Sequence, residues 1–202
     1  MNASSGPLRG VVFDLDGTLY DKRALEWFMV RSMPLALLRL LKYTRVRTGL
    51  AGVDCEHGEA IARLTLDRLS HDPSAQREWQ RWIRERYEPT VLRGLREAAT
   101  LYAGVPDRLA ALGLPATSFD FVLVTEEHGA MKPAPRMAAT TLAGMELPGE
   151  AMVMVGDRAF ADERFAAAAG MRFLGVRPRG PADATWMPWP AVQARLLAWT
   201  GA

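Results

Sequence analysis

Gly10-Val11-Val12-Phe13-Asp14-Leu15-Asp16-Gly17-Thr18 is the stretch on which the fold turns. A short apolar run stops abruptly at two aspartates, followed by a glycine and a hydroxyl residue. Such a run suits a strand buried on both faces. The loop after it then lies at the carboxyl end of that strand, where open α/β sheets bind ligands. An Asp-Gly pair also makes hairpin turns, so the run needs companions before it marks a site.

The companions lie beyond a long helical stretch. From about residue 22 to 87 the pattern is helical. Residues 24–33 make one helix, and Pro34 starts or kinks the next, which carries Leu35, Leu37, Leu38, Leu40 and Leu41. Residues 56–70 make a third, with Ile61, Leu64 and Leu69 as its apolar stripe. Asp72-Pro73 reads as an N-cap with proline at the first helical position. The helix it opens carries Trp79, Trp82, Ile83 and Tyr87, and Pro89 marks the end of the stretch.

After Pro89 the pattern alternates. Helices are expected at 90–98, 106–112, 135–145 and 160–169, and strands at 99–105, 119–125, 151–155 and 171–176. Alternation of this kind makes a parallel sheet covered by helices. The expected organisation is an α/β, Rossmann-like core of residues 1–20 and 89–202, interrupted after its first strand by an all-helical insertion of residues 21–88. The tail from 182 to 202 holds Trp186, Trp189 and Trp199, which pack a terminal helix onto the core.

Three charged loops fall at expected strand ends. Asp14 and Asp16 follow the first strand, Lys132 lies shortly after residues 119–125, and Asp157 and Asp162 follow residues 151–155. Asp14 and Asp157 offer a hard, all-oxygen site of the kind that suits Mg²⁺. Lys132 adds a positive charge, so a phosphate dianion is drawn to the same point. Neutralised in this way, phosphorus becomes open to attack by a carboxylate. A second acid, Asp16, can protonate the leaving oxygen and then activate water.

Asp14-Leu15-Asp16-Gly17-Thr18, Lys132-Pro133 and Gly156-Asp157-Arg158-Ala159-Phe160-Ala161-Asp162 resemble three of the four motifs of the haloacid dehalogenase (HAD) superfamily, in order. The resemblance implies a HAD-like core with a helical cap inserted after the first motif. It implies that Asp14 forms an aspartyl-phosphate and that Asp16 is the general acid/base, with its backbone carbonyl on Mg²⁺. Asp157 would be a direct metal ligand and Asp162 an indirect support, while Lys132 would bridge Asp14 and the phosphate. Thr18 and Gly104 are further candidates for holding the phosphate, and Tyr20, Lys22 and Arg23 lie near enough to the first motif to meet a substrate. Asp16 speaks against a dehalogenase, because family dehalogenases lack an acid there.

The remaining family motif is a Ser or Thr ending the second core strand, and here that position carries Ala103 and Gly104. Backbone amides near Gly104 can hold an anion without a side chain. Hydrolysis of a small phosphorylated metabolite is therefore the leading expectation. A catalytically weak, phosphate-binding regulatory protein is the alternative from another class, and a phosphomutase a lesser one.

Bulk properties bound the rest. The chain has 202 residues, 24% of them charged, with a formal net charge of +2, which excludes a nucleic-acid binder acting through gross charge. A single Cys55 makes no internal disulfide and suits a reduced, cytoplasmic setting. The first ten residues lack the apolar run of a signal peptide. Residues 35–47 combine leucines with Arg39, Lys42, Arg45 and Arg47, which suits either an interfacial helix or a cap helix buried on one side. The cap helix is the reading adopted, so no membrane partner is expected, and the protein is expected as a monomer or homodimer.

Overall fold

The computed structural model describes residues 7–55, 58–97, 129–177 and 183–200. They form two compact units, one built from residues 7–20, 132–177 and 183–200, the other from 21–55, 58–97 and 129–131.

The first unit is a parallel sheet, as the alternating pattern predicts. Its strands are β1 (Gly10–Phe13), β2 (Met152–Gly156), β3 (Arg172–Val176) and β4 (Trp186–Met187), hydrogen-bonded in that order and all parallel. All five residues of β2 are buried, which explains the unbroken apolar text of that strand. Val153, Val155, Leu174 and Val176 form the core with Val192 and Leu196 from the last helix. β1 needs its glycine: a Cβ on Gly10 would lie 2.9 Å from side-chain carbons of Leu147 and Met152.

The expected helix at 135–145 forms as Pro135–Met145, and the tail forms the helix Trp189–Thr200, with Trp189, Val192 and Leu196 buried. Two details differ from the sequence reading. The helix expected at 160–169 begins as a wide π-turn, Ala159–Glu163, and only Arg164–Ala168 is α-helical. Moreover, β4 was not expected, since two residues are too few for any periodicity to show. It is seated by Gly175, where a Cβ would come within 2.3 Å of the Trp186 ring.

The second unit is helical: α1 (Lys22–Ser32), α2 (Leu37–Thr48), α3 (Gly58–Leu69), α4 (Pro73–Trp82) and α5 (Glu88–Glu97). With these five named, the helices of the first unit become α6 (Pro135–Met145), α7 (Arg164–Ala168) and α8 (Trp189–Thr200). Asp72 caps α4 as expected, accepting from the Ser74 N–H at 2.9 Å, with Pro73 at the first position. Ile61 and Leu69 are fully buried. Met29, Met33, Leu40 and Trp82 form this unit's core.

Pro89 does not end the helical run. A π-turn, Ile83–Tyr87, joins α4 to α5, and the Glu88 N–H closes that wide turn on the Ile83 carbonyl. Pro89 then falls in the first turn of α5, where its missing N–H costs nothing. Helix α5 also belongs to the helical unit rather than to the core: Gly94 lies so close to α1 that a Cβ there would meet Leu25 and Phe28 at 2.6 and 2.7 Å. The helical text therefore runs past residue 88. In α2, Leu40 turns inward, while Leu38 and Leu41, and Leu35 in the turn before them, face outward. The strands expected at 99–105 and 119–125, and the helix at 106–112, lie outside the described residues. Among the described residues, no helix is long and apolar enough to cross a membrane.

Candidate active site

β1 and β2 are hydrogen-bonded neighbours, so the loops at their carboxyl ends meet. The Asp14 N–H donates to the Val155 carbonyl at 2.9 Å, which fixes the backbone of Asp14 beside the start of the Gly156-Asp157 loop. The chain then turns tightly through Gly17, whose φ of 90° favours glycine. The Leu19 N–H closes the turn on the Leu15 carbonyl at 3.1 Å. Asp14 is thereby buried at the strand end, and Thr18 donates its hydroxyl proton to Asp14 Oδ2 at 3.3 Å.

Lys132 is the hub of the site. Its ammonium donates to Asp14 Oδ1 at 2.5 Å and to Asp162 Oδ1 at 2.6 Å. The other oxygen of Asp162 accepts from the Arg158 N–H at 3.0 Å. Asp162 is completely buried, and burial holds its carboxyl above the usual carboxylate range. The Lys132 charge opposes that rise, and the Asp14 charge adds to it. Asp157 is half-buried and lies 3.6 Å from the Arg158 guanidinium. One carboxylate oxygen each from Asp14, Asp157 and Asp162 lies within 4.8 Å of the others.

That cluster fits a hard divalent cation, since every donor is a carboxylate oxygen. Asp14 and Asp157 would hold the ion. Asp162, fully buried and tied to the Arg158 N–H, would act from beside. When bound, the ion would add positive charge against an anionic substrate. Asp16 stands apart from the cluster: its carboxylate is exposed and accepts the Tyr20 hydroxyl proton. Thr18, expected at the phosphate, is fully buried and donates a hydrogen bond to Asp14. Gly104 lies outside the described residues.

Sequence reasoning passed over two supports. Trp189 donates its indole N–H to the Thr18 carbonyl at 2.6 Å, and its ring lies 6.2 Å from that of Phe13. Gly156 is the second: a Cβ there would lie 2.4 Å from Asp162 Cβ and 2.5 Å from its Cγ and Oδ2. The fully buried Asp162 has no room to retreat. Gly156→Ala should therefore drive Asp162 off Lys132 and lower stability by about 2 kcal/mol, as overpacking does. Urea unfolding measures this, and an unchanged midpoint would mean that the strand end yields freely.

Sheet and site together define an α/β protein whose strand ends carry a lysine held between buried carboxylates. Comparisons with known proteins agree. A family model described as HAD-hydrolase-like matches residues 130–194. A phosphoserine phosphatase of Thermus thermophilus is 34% identical over 143 residues, covering 61% of this chain and 57% of that protein. The chain thus spans little more than half the length of this relative. Among solved structures, a 2-haloacid dehalogenase of Pseudomonas syringae superposes with a TM-score of 0.66 at 22% identity, covering 95% of this chain and 98% of the other. The HAD-hydrolase YfnB of Bacillus subtilis, bound to magnesium, gives 0.58 at 18% identity, covering 98% and 100%. The likeness to these two is one of fold. The family match over residues 130–194 and the shared fold make the chain similar to hydrolases of the haloacid dehalogenase superfamily.

Proposed function

We propose that this protein hydrolyses a small phosphomonoester through an aspartyl-phosphate on Asp14, with Mg²⁺ in the carboxylate cluster. The observation that carries the reading is the position of Lys132, bonded at once to Asp14 and to the buried Asp162. Asp14 Oδ attacks phosphorus, and the ester oxygen leaves with the proton of Asp16 in its acid form. Water then attacks the phosphoryl group as Asp16 takes its proton, and phosphate departs from a regenerated Asp14. Lys132 neutralises the approaching phosphate, and the Thr18 hydroxyl and the β1–β2 ladder hold Asp14 in aim. The helical unit serves as the cap that selects the substrate.

The HAD fold hosts dehalogenases as well as phosphatases, and Asp16 is the residue that favours the phosphatase. The test is a panel of phosphomonoesters, with phosphoserine included because of the relative, run beside a panel of 2-haloacids. Phosphate release without halide release is the expected result. Halide release alone would overturn the proposal. One observation favours a second reading, a phosphate-binding protein without turnover: Ala103 and Gly104 stand where the family motif has a hydroxyl. On that reading the wild type cleaves no ester, and Ala103→Ser, which supplies the missing hydroxyl, brings cleavage back.

The metal makes its own prediction. Mg²⁺ should raise the melting temperature, since a ligand at a hundredfold excess over its Kd adds about 2.7 kcal/mol. Lys132→Met leaves Asp14 and Asp162 facing each other without a cation and should cost about 3 kcal/mol. Mg²⁺ should then stabilise the variant more than the wild type, because it meets uncompensated carboxylates. Calorimetry with and without EDTA decides the point, and equal melting curves in all four samples would remove the metal from this cluster.

A further inference from the structure

The outward row of leucines on the helical unit has no role in the chemistry above. Leu35 is 103% exposed, Leu38 82% and Leu41 58%. They recur every third residue along the turn Pro34–Ala36 and helix α2, so they lie in one row. Leu40, on the opposite side, fills the unit's core with Met29, Met33 and Trp82. The row is therefore a second apolar surface, separate from the face that anchors the helix. Leucines exposed singly are ordinary, but three in a row demand a partner.

Charge says which partner. Residues 22–48 contain seven Lys and Arg and a single acid, Glu26. Lys42 and Arg45 follow the leucines along α2, both exposed. Arg39 and Lys42 lie over the Trp79 ring at 5.5 and 5.8 Å; Arg39 also pairs with Glu78 at 3.7 Å, and Lys42 donates to the Leu69 carbonyl at 2.7 Å. Among the described residues, no carboxylate pairs with Arg31 or Arg45. A second copy of the chain would bring an equally basic face against this one, and the like charges would oppose pairing. An anionic surface with an apolar interior satisfies both halves of the pattern.

We propose that the outward face of the turn Pro34–Ala36 and helix α2 docks reversibly on anionic lipid. The leucines enter the headgroup boundary, and the Lys and Arg side chains lay their stems along it with their charges at the lipid phosphates. A helix of 12 residues lies along such a surface and does not span it. Arrival at the surface is electrostatic and retention apolar, so the binding weakens with salt.

Vesicle sedimentation tests this with the full chain. Phosphatidylcholine vesicles and phosphatidylcholine–phosphatidylglycerol vesicles are compared at low and high salt. The expected result is cosedimentation with the anionic vesicles only, weakened by salt. It should fall about tenfold in Leu35→Ser/Leu38→Ser/Leu41→Ser, as expected for lost apolar burial. Exposed leucines are not part of the core, and circular dichroism confirms that the variant folds. Arg45→Glu, which keeps the leucines, should weaken binding as well, about tenfold. No cosedimentation of the wild type, or binding unchanged in the leucine variant, overturns the proposal. So does a dimer in light scattering that the leucine variant makes monomeric while vesicles leave the wild type unbound; that face then belongs to a second copy.

Discussion

Asp14→Asn should lower phosphate release by on the order of 10⁴-fold or more, the scale on which losing a nucleophile acts. The expectation is sharp because the substitution disturbs so little else. Asparagine has the shape of aspartate, so the Asp14 N–H can still meet the Val155 carbonyl. The Thr18 hydroxyl keeps an oxygen to bond, and Lys132 keeps Asp162. On the proposed mechanism, what vanishes is the negative charge that attacks phosphorus, since a neutral amide does not form an aspartyl-phosphate. The check is release of phosphate from the best substrate, together with acid-stable labelling of the protein by that substrate. A rate within tenfold of the wild type would place the nucleophile elsewhere. Near-equal melting temperatures of the two proteins would show that chemistry, not folding, had been removed.

Gly149→Ala should be the most damaging substitution for stability. Gly149 is buried in the short turn Gly149–Ala151 that leads into β2. A Cβ there would stand 1.9 Å from the Ala169 carbonyl oxygen and 2.9 Å from the Gly170 carbonyl carbon. These are backbone atoms at the end of α7, so no rotamer change relieves the overlap. Either the end of α7 or the start of β2 must move, and β2 is the buried strand that carries Asp157 at its end. Overpacking against backbone should cost roughly 3 kcal/mol, the upper part of the usual range. For a chain of this size that is a fall of roughly 10 °C in melting temperature. An unchanged melting temperature would show that this junction is plastic. Loss of Mg²⁺ response alongside stability would show that the strand end had shifted with it.

The parts of the site that the sequence made legible share one property. Asp14 and Asp157 each follow an apolar run directly, and a charge placed there is unfavourable unless it has a purpose. Lys132 and Asp162 were legible less directly, from the loops after the expected strands at 119–125 and 151–155 and then from motif spacing. What stayed hidden was orientation and distance. Leu35, Leu38, Leu40 and Leu41 are chemically alike, and nothing in their spacing says that only Leu40 turns inward. Pro89 looks like a stop because an ordinary α-turn cannot accept it there, yet the wider turn before it can. The tail tryptophans were legible as packing, which Trp189 does, but its donor finds an acceptor far away in sequence. Helix α5 joined the helical unit for want of any local mark: the close approach of Gly94 to Leu25 and Phe28 is a tertiary fact.

That distant acceptor sets an order of events during synthesis. Thr18 leaves the ribosome soon after β1, and Trp189 is translated 171 residues later. Until then the Thr18 carbonyl lacks the indole that clasps it, and β1 lacks its neighbour β2, which comes from residues 152–156. Between those two points a nascent chain carries Asp14 without the strand and the indole that later fix its loop. A ribosome stalled short of residue 189 therefore displays the motif without the indole that clasps its loop.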